Sequence, residues 1–172
     1  MAKKKTLVFQ PEIWNSDHVK KTHNCYSFAT NCVEDDRKKT MQPGSIAGIP
    51  KLKKPQFSCA NILDHVKKDI PSITKIESNS DSCPKGMHKV VLVVHPKKDY
   101  HFYRQDDNGM YSHKRGKLLA INVDADDKLI EDPLTANRTY TNYDYTDFCG
   151  YLCFPSKCPT KSGRWIQPSP RQ

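Results

Sequence analysis

The chain has 172 residues, of which 36% are hydrophobic, with a mean hydropathy of -0.78 and a formal net charge of +9. That length suits one domain with its own core and leaves too little for two, and no run approaches the ~18 apolar residues of a membrane span. The basic surplus comes as scattered pairs, Lys20-Lys21, Lys38-Lys39, Lys53-Lys54, Lys67-Lys68 and Lys97-Lys98, which fits a solvated surface and gives no support to sequence-specific nucleic-acid binding.

Residues 1–22 are basic and irregular, with Pro11 and a lone Trp14, and read as an N-terminal arm. The apolar run Leu7-Val8-Phe9 is too short for a signal-peptide core. The expectation is therefore a cytoplasmic protein, or one packaged in a virion, with reduced thiols. Asn24 is placed to cap a short helix from Cys25 to Val33. Gln42-Pro43-Gly44 makes a turn, and a Gly/Pro/Lys-rich loop follows to Pro55. Ser58 caps a second helix, Cys59 to Lys68, with Ala60, Ile62, Leu63 and Val66 at helical spacing.

Beyond Pro71 the period changes. Ile73 to Glu77 is a candidate strand, and His88 to His95 is a continuous β-branched run of the kind buried on both faces. Tyr100 to Asp106 and Met110 to Lys114 form a hairpin about Asp107-Asn108-Gly109. Leu118 to Val123 and Lys128 to Ile130 suggest another, turning at Asp124 to Asp127. That acidic turn lacks the Gly and the distal Glu of an EF-hand loop. Asn137-Arg138-Thr139 is a glycosylation sequon, which matters only in a secreted protein. A last strand lies within Asp144 to Phe154, and residues 155–172 form a Pro-rich basic tail. Helices followed by an antiparallel sheet give an α+β class, in a domain spanning 23–154.

Seven Cys cannot all pair within one chain. Cys149, Cys153 and Cys158 cluster without further ligands at zinc spacing, so neither a metal nor a cofactor is expected. Cys25 differs from the rest, because a helix N-terminus and a nearby base together activate a thiol. Two bases lie twelve residues apart across the hairpin, His101 and His113. A three-residue loop with Gly109 left-handed puts them on one face, within side-chain reach. A two-residue loop puts them on opposite faces and brings Ser112 to the side of His101 instead. Cys25, His101 and His113 are therefore the candidate catalytic residues. His88 is an alternative base and Ser112 an alternative orienter.

Those residues resemble a known family. Gly86 to Val93 is similar to the strand before the catalytic His of NlpC-type papain-like peptidases, and the His101–His113 hairpin and the Cys25 helix resemble their counterparts there. A longer resemblance is to an uncharacterised set of bacterial and large-DNA-virus proteins that share NCYxYA, QPG, HWYRxDxxGxWSHKPG and YTxFCGY. Here these read Asn24 to Ala29, Gln42 to Gly44, His101 to Gly116 and Tyr145 to Tyr151, with Phe28, Phe102, Tyr111 and Arg115 replacing Tyr, Trp, Trp and Pro. The resemblance implies a papain-like, NlpC-type α+β fold and a cysteine-dependent amide hydrolase acting on a peptide or isopeptide, with Cys25 as nucleophile, His101 as general base, His113 as orienter and the oxyanion held partly by the Cys25 N–H. The alternative is a catalytically silent papain-like domain serving as a structural or minor capsid component. In that case Trp14 and Trp165, in the two basic ends, would anchor the tails on assembly partners.

Overall fold

The computed structural model describes residues 7–160 and the backbone of 164–165. Three short helices come first: α1 (Pro11–Trp14), α2 (Asp17–Thr22) and α3 (Cys25–Ala29). Strand β1 (Cys32–Val33), a 3-10 turn (Lys54–Gln56) and α4 (Cys59–Asp69) follow. The remaining strands are β2 (Thr74–Ile76), β3 (Met87–His95), β4 (Asp99–Gln105), β5 (Tyr111–Lys114), β6 (Ala120–Ile121), β7 (Thr139–Tyr140), β8 (Tyr143–Asp144), β9 (Asp147–Pro155) and β10 (Arg164–Trp165). Six of them form an antiparallel sheet in the order β2-β9-β3-β4-β5-β6. The class is α+β, with short N-terminal helices packed on that sheet.

The sheet is built around β3, buried from His88 to Val94. Val90, Leu92 and Val94 face Tyr26, Ile62 and Val66 of the helices, with Phe102 and Leu152 alongside. Val91 and Val93 face the other way, against Tyr103, Tyr111, Ile130, Tyr145 and Tyr151. Both faces are covered, so the run carries no polar alternation.

Helix α3 begins where the Asn24 side chain accepts the Ser27 N–H. It stops at Ala29, short of the expected Val33. Asn31 is left-handed (φ 54), a conformation Asn tolerates and a helix does not. Cys32 and Val33 are then free to pair with Trp165 and Arg164. Helix α4 is capped by Ser58, whose side chain accepts the Asn61 N–H. Its last residue, Asp69, is buried and accepts from Tyr26 Oη at 2.8 Å and from the Gly44 and Ala47 N–H groups at 2.7 and 2.8 Å. Gly44 has φ +97, and a Cβ there would sit 2.8 Å from Ile49 Cγ1 and 2.9 Å from His65 Cδ2, so the Gln42-Pro43-Gly44 turn needs its glycine.

The short helices have too few turns to stand alone. Their C-terminal carbonyls are held by buried side chains from the sheet. Lys114 Nζ donates to Lys20 O and His23 O at 2.8 Å each. His88 Nε2 lies 2.7 Å from Ala29 O, and Arg104 donates to Phe28 O at 3.4 Å and stacks 4.0 Å over the Phe28 ring. Just past α1, the Asn15 amide takes both backbone groups of Ala120, closing the β6 edge of the sheet against further pairing.

Part of the segment expected as an arm is therefore folded onto the domain. Trp14 is fully buried against Phe28, Val33 and Ala120 and is not an anchor for a partner. The side chain of Trp165 and most of the 155–172 tail lie outside the described residues.

Six cysteines form three disulfides: Cys32–Cys158, Cys59–Cys149 and Cys83–Cys153. The reduced-thiol expectation is corrected. The 149–158 cluster that carried a weak zinc signal is one half of each bridge, and Cys25 is left free. Because each bridge closes a loop of at least 70 residues, the loop-closure entropy model assigns each roughly 4–5 kcal/mol. The double substitution Cys59→Ser, Cys149→Ser is expected to lower unfolding stability by a few kcal/mol in denaturant titrations run without reductant, where the other two bridges stay closed. A midpoint unchanged from the parent would show that the bridge does not constrain the unfolded chain.

Candidate functional site

Cys25 opens α3 with its Sγ turned to the edge of β4 that β5 leaves uncovered, since β5 pairs only from Tyr103 to Gln105. The thiol takes N–H donation from Phe102 and Tyr26. Burial dominates even so. Desolvation, reinforced by the Asp99 carboxylate, pushes its pKa up to about 12, and nearby Lys114 pulls only weakly the other way. At neutral pH Cys25 is a thiol. The activated thiolate expected from its helix-start position is absent.

The hairpin settles the His geometry. Asp106 N–H bonds Met110 O at 2.9 Å and Gly109 has φ +82, so the loop has three residues. Tyr103 opposes His113, which places His101 diagonal to it on the same face. His101 Nε2 and His113 Nδ1 lie 2.8 Å apart, and His113 Nε2 lies 2.8 Å from Val123 O. A carbonyl only accepts, so His113 carries its proton on Nε2. Its Nδ1 then accepts from His101 Nε2–H, and His101 Nδ1 is the bare nitrogen of the pair. Both rings are held neutral by burial, His113 near a pKa of about 4 and His101 well below the usual range.

The two alternative residues lie elsewhere. Ser112 opposes Arg104 on the other face, beside Asp106. His88 pairs across from Phe154 and spends both nitrogens on Ala29 O and Ser156 Oγ; burial lowers its pKa to about 3. It fastens α3 to the sheet.

Cys25 and His101 line one open recess of about 470 Å³. Asp99 and Tyr145 join them, with the Tyr145 hydroxyl donating to the Asp99 carboxylate at 2.6 Å. Tyr100 bonds Gln42 through its hydroxyl. Sequence reasoning missed Asp99 and Tyr145. The signal for Tyr145 was its place at the head of the YTxFCGY pattern. Among the described residues no group of three His, Cys, Asp or Glu side chains is placed to hold a metal ion, and no helix is long and apolar enough to cross a membrane.

The comparison with known proteins decides among the readings. The chain is 35% identical over 144 residues to insoluble matrix shell protein 1 of Ruditapes philippinarum, covering 84% of this chain and 87% of that protein. This chain belongs to the family of that shell-matrix protein. No family model matches the chain, and no solved structure matches it. Membership in the shell-matrix family overturns the cysteine-hydrolase expectation and, with it, the capsid alternative. It also overturns placement in the cytoplasm or a virion, which had rested on the short apolar N-terminal run. Cys25 and His101 thus share one recess, where burial favours the uncharged form of each.

Two outcomes follow from these groups. Iodoacetamide is expected to label Cys25 alone in the oxidised protein, slowly near pH 7 and faster all the way through pH ~10, with little change on His101→Ala. Fast labelling that plateaus near neutral pH would mean an activated thiolate. Because His88 and His113 are neutral when folded, with pKa values of about 3 and about 4, the unfolded chain binds more protons below its ordinary His pKa of ~6.5. Stability is complete above that value and falls as pH drops toward the folded values, by up to ~1.4 kcal/mol per pH unit for each ring. His88→Gln is expected to flatten the acid limb of a stability-versus-pH curve. An unchanged slope would show that His88 does not titrate on unfolding.

Proposed function

We propose that the chain is a secreted structural component of an insoluble extracellular matrix, in which a papain-like α+β domain serves as a disulfide-braced scaffold. The observation that carries this reading is the alignment with insoluble matrix shell protein 1, which runs over most of both chains. Three disulfides support it, because such bridges form and persist in oxidising, extracellular compartments. The papain-like description is supported by the helix that starts at Cys25 against the strand carrying His101. In the scaffold the thiol is uncharged and His101 and His113 are bonded to each other.

A structural role asks for persistence, and the fold provides it. Both sheet faces are covered, the β6 edge is closed, and the short helices are tied down by buried hydrogen bonds. The test is fractionation of the source tissue with an antibody against the chain. The expected result is recovery from the extracellular insoluble fraction, with release requiring denaturant together with reductant. Recovery in the cytosolic soluble fraction would overturn the proposal.

A further inference from the structure

The recess beside Cys25 carries a charge pattern that the scaffold role leaves unexplained. Four cations line it: Lys54, Lys98, Arg115 and Lys117. Two are held in place by rings, Arg115 with its guanidinium 3.8 Å over Tyr140 and Lys98 with its ammonium 5.6 Å from the Tyr143 centroid. None of the four is within ion-pair distance of a carboxylate among the described residues. The acid inside the recess, Asp99, is a single carboxylate already engaged by the Tyr145 hydroxyl, so the four cations outnumber it. The recess therefore presents convergent positive charge with little to balance it.

Its volume of about 470 Å³ falls in the ~300–1,000 Å³ range of ligand clefts. A second copy of the chain is a poor occupant, because two molecules at +9 repel. A sulfated polysaccharide spaces its charge along a stiff rod and calls for cations in a row. The other lysines, such as Lys67, Lys68 and Lys75, are scattered over α4 and β2. A flexible acidic segment can place successive carboxylates in one recess.

We propose that this recess is a binding site for an Asp- or Glu-rich peptide segment of another protein. The proposal extends the matrix reading to a partner. It is tested in dilute solution with purified chain, so its failure is separate from any failure of the extracellular assignment.

The experiment is calorimetric titration of the full-length oxidised chain with an oligo-aspartate peptide, beside a sulfated polysaccharide. Saturable one-site binding of the peptide is expected, weakening as salt rises. Charge reversal at the rim, Lys98→Glu with Lys117→Glu, is expected to weaken it by about tenfold or more, whereas Lys67→Glu with Lys75→Glu changes it less than about twofold. Lys54→Glu serves as a second exposed rim variant should the first pair fail to fold. Equal weakening by both pairs would show diffuse surface attraction and overturn the site. Binding of the polysaccharide with none of the peptide would overturn the proposal in favour of a saccharide ligand.

Discussion

Everything in this molecule is arranged around the burial of β3 on both faces. A strand with no solvent side needs two covering layers, and a chain of this length has few elements to supply them. On one side the cover is α3, α4 and the loop that Asp69 pins through Gly44 and Ala47. On the other it is irregular chain between β5 and β9, made solid by tyrosines. Aromatic rings suit that task because each covers a large area while its hydroxyl finds a polar partner. Tyr145 on Asp99 and Tyr151 on Asp132 both do this.

The polar interior follows from the same economy. Helices of four to six residues expose most of their carbonyls, and those carbonyls point into the protein. Lys114, Arg104 and His88 are buried because they are the donors that answer them. A buried charge is tolerated when it is fully hydrogen-bonded, and removing one partner leaves several acceptors empty at once. Lys114, with a third bond to Gly116 O, links α2 to the turn that carries Arg115 and Lys117. The charged rim of the recess and the packing of the N-terminal helices thus share one residue.

Local signals in the sequence carried well. The β-branched run gave β3, the Asn24 and Ser58 caps marked the starts of α3 and α4, and Asp107-Asn108-Gly109 announced a hairpin whose loop length decided the neighbour of His101. Non-local facts did not carry. Trp14 looked stranded in a polar arm because its partners, Phe28 and Ala120, come from distant parts of the chain. The disulfides were hidden for the same reason, since 70 to 126 residues separate their halves. The candidate site was legible as residues and illegible as chemistry. Spacing brings Cys25, His101 and His113 into one neighbourhood, but whether a thiol ionises depends on its burial, and that is set by Phe102, Asp99 and the rest of the fold.

The three disulfides share a feature with a further consequence. Each has one end between Cys149 and Cys158, so the bridges overlap rather than follow one another: Cys59–Cys149 and Cys83–Cys153 interlock, and Cys32–Cys158 spans them both. A protease that cuts the backbone once anywhere inside that span separates no fragment, because the two pieces stay joined through sulfur. A nicked molecule keeps its mass and its place. For this chain, tolerance of being cut is therefore built in separately from resistance to the first cut.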